Sequence, residues 1–252
     1  MTTLFISDLH LDADLPRLTD AFLAFMRQRA AQAEALFILG DFFEVWIGDD
    51  DESAFNLDIA DELRKFSDRG GRLFLMVGNR DFLLGEHYAS RCGAELLPDP
   101  TVIDLYGTPT LLMHGDSLCT RDAEYMAFRA QSRSPQWQAQ MLSQTLAARR
   151  AFARQAREKS QQHNRMQASD IMDVTPDEVV RVMQVHGVRR LIHGHTHRPA
   201  RHPLLLDGEA AERIVLGDWG DYVWWLEAQA DGSLELNKQA TVQLLNNQAS
   251  AQ

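Results

Sequence analysis

The sequence predicts an α/β protein built as one large domain, and three observations predict it. Short apolar runs recur at residues 3–7, 35–39, 73–77, 110–113 and 190–192, each too short for a typical helix. Stretches with apolar residues at helical spacing lie between them. Each run also ends in residues that can bind a cation: Asp8-Leu9-His10, Gly40-Asp41, Gly78-Asn79-Arg80-Asp81, His114-Gly115-Asp116 and His193-Gly194-His195-Thr196-His197. In open α/β sheets, ligand sites form at the carboxyl ends of the strands. Five ends that deliver Asp, His and Asn to one edge read as a two-metal site with Asp41 as the shared ligand.

Composition sets the bounds. The chain's 252 residues are enough for one substantial core, and 45% hydrophobic residues is ordinary for a globular protein. A net charge of −11 argues against wholesale binding of nucleic acid. Cys92 and Cys119 do not make a disulfide framework, and a reducing cytoplasm is the simpler reading. The first residues lack a basic start, and Asp8 interrupts their apolar run, so they do not read as a signal peptide. No stretch approaches the ~20 apolar residues of a membrane span. The expectation is a soluble protein that can still sit on a membrane surface.

Taken in order, the first strand leads to Asp8 and His10, which point to one side if extended geometry persists. Residues 18–33 read as a helix whose Leu18, Ala21, Phe22, Phe25 and Met26 face the core. The second strand gives Asp41. Phe42, Phe43 and Trp46 then read as packing ahead of ligand contact, and Asp49-Asp50-Asp51 as a solvated loop or helix start. Residues 58–69 read as a second helix, stopped by Gly70-Gly71. The third strand delivers Asn79, a neutral oxygen ligand, and Arg80, a planar cation suited to phosphate or to a surface ion pair with Asp81. His114 follows the fourth strand as a candidate ligand. Asp116 is a partner for it or for another imidazole.

Residues 121–166 differ in character, with nine basic residues against three acidic ones. Arg150, Arg154 and Arg157 share a helix face, with Trp137, Met141, Leu142, Leu146 and Phe152 as apolar surface. Pro135 breaks the segment into at least two helices. Residues 121–167 read as a helical lid insertion within a single domain spanning 1–252: an anion-binding lid or a membrane-facing patch. Thr175-Pro176-Asp177-Glu178 reads as a helix start with a capping box. The fifth strand ends in three histidines, with Gly194 giving a sharp turn. Residues 214–219 and 222–226 read as a closing hairpin, and residues 243–252 as a frayed tail.

The joint order of these motifs resembles the calcineurin-like metallophosphoesterases. Within them, Phe43-Glu44-x-Trp46-Ile47-Gly48-Asp49-Asp50, the run from Gly78 to Gly85, His114-Gly115-Asp116-x-Leu118-Cys119-Thr120 and His193 to Pro199 resemble the branch that cleaves UDP-2,3-diacylglucosamine. Arg80 departs from the superfamily, which usually has His there, and supports that branch. The resemblance runs from about Thr3 to Trp219. It implies a metallophosphoesterase sandwich of two facing mixed β-sheets flanked by helices, and two Mn²⁺ per chain. Asp8, His10, Asp41 and His197 would hold one ion, and Asp41, Asn79, His114 and His195 the other. Asp41, Asn79, Arg80 and His195 would carry catalysis. Asn79, Arg80, Asp122, Ser160, Asn164, Gln167 and His195 would bind substrate, with Gln167 standing where many relatives have Lys. The implied reaction is Mn-dependent hydrolysis of the pyrophosphate bond in lipid A biosynthesis, releasing UMP and 2,3-diacylglucosamine 1-phosphate (lipid X). The implied place is the cytoplasmic face of the inner membrane, held peripherally, with no nucleic acid and no obligate protein partner. The alternative is another metal-dependent phosphodiesterase or pyrophosphatase acting on a soluble nucleotide.

Overall fold

The computed structural model describes residues 1–166 and 173–249, and side chains within 1–160 and 173–247. The strands are Thr2–Ile6 (β1), Ala35–Leu39 (β2), Arg72–Met76 (β3), Ala94–Leu97 (β4), Thr101–Leu105 (β5), Thr108–Leu112 (β6), Arg190–His193 (β7), Ala200–Leu206 (β8), Glu209–Val215 (β9), Tyr222–Gln229 (β10) and Leu234–Ala240 (β11). The helices are Pro16–Gln28 (α1), Ala54–Asp68 (α2), Glu86–Cys92 (α3), Ala123–Ser132 (α4), Pro135–Leu142 (α5), Leu146–Met166 (α6), Pro176–Val185 (α7) and Thr241–Ala249 (α8).

The strands form two mixed sheets. One runs β11-β10-β1-β2-β3-β4, with β1 to β4 parallel. The other runs β5-β6-β7-β9-β8, with β6, β7 and β9 parallel. Side chains alternate across each strand, so every central strand serves two cores. Phe5, Phe37, Met76, Leu112, Ile192 and Ile214 meet between the sheets. Phe5 and Phe37 stack at 4.9 Å and Phe37 and Phe74 at 4.3 Å, a ladder set by the β1-β2-β3 register. Leu4, Ile6, Leu36 and Ile38 turn the other way, onto Phe22 and Phe25 of α1 and Leu63 and Phe66 of α2. Leu111 and Leu191 pack on Val182 and Met183 of α7. The result is helix, sheet, sheet, helix, with the parallel strands of both sheets ending on one side.

Several elements differ from the sequence reading. The first helix stops at Gln28, and a 3₁₀ turn at Ala30–Gln32 carries the rest. The second starts earlier, at Ala54, because Ser53 accepts from Asn56 N–H at 3.3 Å. The capping box at Thr175 does not form: Thr120 donates to its hydroxyl at 2.8 Å, and Glu178 pairs with Arg181 instead. The closing hairpin does not form either. β9 lies in the second sheet and β10 in the first, so residues 216–221 cross between sheets. Of the expected frayed tail, residues 243–249 belong to a helix, because Leu244 is buried against the α1 side of the core and its carbonyl accepts from Gln28, and residues 250–252 lie outside the described residues. Between β6 and β7 the basic segment forms α4, α5 and α6, with Pro135 opening α5 and Ser134 capping it. Cys92 and Cys119 are buried thiols not joined in a disulfide, and burial pushes both up to about 12.

Candidate metal centre

The loops that follow β1 and β2 continue the sheet's hydrogen bonding past the strand ends. Asp8 N–H donates to Gly40 O at 3.1 Å, His10 N–H to Asp41 O at 3.0 Å, and Leu11 N–H to Phe42 O at 2.9 Å. The backbone is not extended there. Asp8, His10, Asp41, His195 and His197 all have positive φ, between 48° and 67°. The expected alternation of Asp8 with His10, and of His195 with His197, is therefore replaced by left-handed turns that still converge. Each such residue costs on the order of 1–3 kcal/mol and persists only where surroundings over-determine it. Asp81 supplies part of that frame: its buried carboxylate accepts from Gly78 N–H at 2.6 Å and Phe42 N–H at 2.8 Å, tying the β2 and β3 loops. Gly40 (φ 87°) lets those loops meet, since a Cβ there would stand 2.7 Å from Gly78 Cα. The chain turns sharply after Gly194, as expected, with Thr196 N–H bonding back to Gly194 O at 2.8 Å, and the glycine also allows close packing, since a Cβ on it would strike Asp8 and Ser7.

Two donor sets come together. In the first, His10 Nε2 lies 3.3 Å from His197 Nε2 and 3.9 Å from Asp41 Oδ2, and His197 Nε2 lies 3.4 Å from Asp8 Oδ1. In the second, Asn79 Oδ1 lies 2.9 Å from His114 Nε2 and 2.8 Å from His195 Nδ1, and His114 Nε2 lies 3.6 Å from Asp41 Oδ1. Asp41 thus turns one oxygen to each set, and Arg80 N–H holds Oδ1 at 2.8 Å. His114 Nδ1 donates to Leu39 O at 2.9 Å, which aims Nε2 at the centre.

The charge balance fits a cation. Asp8 Oδ1 is buried without a hydrogen-bond partner. Among the described residues, Asp8, His10 and His197, and separately Asp8, Asp41 and His114, bring ligand atoms within 4.8 Å of one another. Burial opposes charge on His114, yet the carboxylates of Asp41, Asp8 and Asp116 outweigh it and raise this imidazole to about 9. Burial would raise Asp8, but the facing His197 and the nearby imidazoles of His114 and His10 hold its carboxyl well below the usual range. Burial, then the charge of His114, lowers His195 to about 4 and keeps it neutral. Carboxylate, amide and imidazole together suit a divalent first-row metal.

Other candidate residues fall differently. Arg80 is half-buried, with its guanidinium 4.0 Å from Glu44 rather than paired with Asp81. Asp116 does not bond an imidazole. Its Oδ2 accepts from Tyr125 and, at 2.9 Å, from Arg129 of α4, and Tyr125 stacks on His195 at 6.1 Å. Asp122 caps α4 through Tyr125 N–H at 2.9 Å, and Ser160 sits half-buried on α6. Gln167 and the side chain of Asn164 lie outside the described residues. His193 is not a ligand candidate: it is buried, its ring contacts Gly194 O, and burial and Arg213 lower it to about 3. The acidic triplet lies in a turn with Asp50 exposed, as expected of a solvated loop, and its carboxylates are also paired. Asp49 accepts from Trp46 Nε1, Gly85 N–H and Tyr88 N–H, Asp50 pairs with Arg149, and Asp51 pairs with Arg150. Phe42, Phe43 and Trp46 are core, as expected. Sequence reasoning assigned no role to Glu44 or to Asp218, which stands 3.5 Å from His197 Nδ1. A carboxylate at fixed spacing from a ligand histidine was the available signal.

A carboxylate shared between two imidazole-bearing donor sets, at the strand ends of an α/β sandwich, is the signature of a metal-dependent phosphoesterase. Residues 1–199 match the model of the calcineurin-like phosphoesterase family, and the chain belongs to that family. Its sequence is similar to the UDP-2,3-diacylglucosamine hydrolase of Cellvibrio japonicus, 61% identical over 92% of this chain and 97% of that protein. The proteins of the same name from Pseudomonas aeruginosa and Hahella chejuensis are 58% and 52% identical, over 92% and 95% of this chain and 97% and 98% of theirs.

Proposed function

We propose that this chain hydrolyses the pyrophosphate bond of UDP-2,3-diacylglucosamine to UMP and 2,3-diacylglucosamine 1-phosphate, a step of lipid A biosynthesis, with two Mn²⁺. The observation that carries the reading is Asp41 between two donor sets, in a chain 61% identical to a hydrolase of that name. Asp8, His10, Asp41 and His197 would hold one ion, and Asp41, Asn79, His114 and His195 the other. Cations there supply Lewis acidity and lower the pKa of a water near the phosphorus.

The chain's own residues orient and screen. Arg80, next to Asn79, offers a guanidinium that offsets charge growing on phosphoryl oxygens. Tyr125 holds the His195 ring by stacking. α4 to α6 act as the lid. A cavity of about 430 Å³ opens among Trp137, Met141, Ala148 and Phe152 of α5 and α6, bounded by Gln131 of α4, and offers apolar lining for acyl chains. Ser160 and Asn164 are one helical turn apart on α6, which supports joint contact with the sugar or its amide-linked chain. Of the segment's described basic residues, Arg129, Arg133, Arg149, Arg150, Arg157 and Lys159 each face an acid of this chain, whereas Arg121 and Arg154 are exposed. Membrane attachment draws on the exposed Arg121 and Arg154, on the apolar surface of the lid and on the acyl chains. In keeping with a peripheral stay, no described helix is long and apolar enough to cross a membrane.

The test is UMP release from the diacyl substrate in detergent micelles before and after chelation and Mn²⁺ return. Release that stops on chelation and recovers with Mn²⁺ is expected. Uptake of metal without release would contradict the reading.

A further inference from the structure

Glu44 has no role in the chemistry above, yet it touches both the centre and the lid. Its side chain is 11% exposed and its two oxygens face different parts of the molecule. Oε2 stands 2.8 Å from His10 Nδ1. Oε1 stands 3.0 Å from Arg157 Nε on α6 and 4.0 Å from Arg80 Nη1. Glu44 N–H donates to Leu11 O at 3.0 Å, so its backbone is held by the same inter-loop bonding that holds Asp8 and His10. A carboxylate held against one ring nitrogen orients an imidazole and makes its other nitrogen a more basic donor. For His10 that other nitrogen is Nε2, the atom facing His197 and Asp41. The first turn of α6 is anchored independently: Arg149, buried, donates to Ile47 O at 2.6 Å and pairs with Asp50. Arg157 lies eight residues on, about 12 Å along the helix. There α6 is tethered to Glu44, with Asp12 a further 3.9 Å contact.

We propose that Glu44 is a positioning residue that couples α6 to His10, fixing the imidazole with one oxygen and tethering the helix with the other. Cation binding at the first donor set and seating of α6 against the body then support each other, and by linkage the support is reciprocal. This rests on the reading of His10 as a cation ligand.

The experiment uses Mn²⁺ alone, with no substrate, added to metal-free protein. Affinity is read by calorimetry and amide hydrogen exchange is followed at residues 153–160. In the wild type, Mn²⁺ is expected to slow that exchange. Glu44→Gln should bind Mn²⁺ about 10- to 100-fold more weakly and lose the effect on exchange. Arg157→Ala should weaken binding a few-fold in the wild type and add nothing in Glu44→Gln, the non-additivity of a coupled pair. Glu44→Asp keeps the charge but withdraws it by a methylene, and gives the same test should Glu44→Gln not fold. A variant within twofold of wild-type affinity, or additive effects of the two substitutions, overturns the coupling while leaving the ligand reading intact. A wild-type protein that takes up no Mn²⁺ overturns both.

Discussion

Asp41 carries more of the centre than any other side chain. Its oxygens face His10 and His114 separately, Arg80 N–H holds one of them, and its left-handed backbone is tied to the first loop by His10 N–H on its carbonyl. Asp41→Asn keeps the shape and removes the charge, so we expect loss of bound metal and at least a hundredfold fall in turnover, read by elemental analysis alongside UMP release. Arg80→Ala should cut kcat by roughly 10²–10³ while leaving metal content near wild type, because its side chain lies outside both donor sets. Metal loss in that variant contradicts its assigned role. His114 supplies a pH test. Carboxylates hold it charged up to about 9 in the metal-free chain, so a cation must displace its proton. Mn²⁺ uptake at pH 7 should release protons, and affinity should rise with pH and level off above about 9. Calorimetry in buffers of different ionisation enthalpy measures this, and proton-neutral binding contradicts it. At this scale the ligand types were legible, because a charge directly after an apolar run has few places to go. The route was not: alternation predicted convergence, whereas the structure reaches it through left-handed residues that no side-chain pattern announces.

Among the elements, α6 shows how local charge is settled by tertiary partners. Its basic face of Arg150, Arg154 and Arg157 read as an anion or membrane surface; Arg150 and Arg157 find Asp51 and Glu44 on the body, as the neighbouring Arg149 finds Asp50, while Arg154 stays exposed. The acidic triplet and the basic helix are far apart in sequence, so neither foretold the other. Arg149→Ala should leave Ile47 O without a donor and cost about 1–3 kcal/mol, read by denaturant unfolding. Hydrogen exchange in the first turn of α6 should rise with it. A change within 0.5 kcal/mol would show that the pin is not holding the helix. Strands β1, β2, β3, β6 and β7 were legible as buried apolar runs. The strands β4, β5, β8 and β11 carry exposed polar residues on edges or half-solvated faces, and they left no comparable signal.

At the scale of the molecule, the two sheets share one interior, and Phe37 stands in its middle between Phe5 and Phe74. Phe37→Ala should destabilise by about 3–5 kcal/mol, since it opens a cavity that both sheets line. The residue reading saw two sheets only through family resemblance, and it took the crossing from β9 to β10 for a hairpin. Strand pairing depends on long-range register, which a short turn-like segment such as residues 216–221 does not reveal. What that topology achieves is placement: the carboxyl ends of parallel strands from two sheets open on one side, under α4 to α6. The measurement that bears most directly on the account is Mn²⁺-dependent UMP release from UDP-2,3-diacylglucosamine in micelles, run in parallel with UDP-N-acetylglucosamine. Release from the diacyl compound alone is the predicted result. Equal or faster cleavage of the soluble sugar nucleotide would contradict the lipid assignment and leave a phosphoesterase of soluble nucleotides.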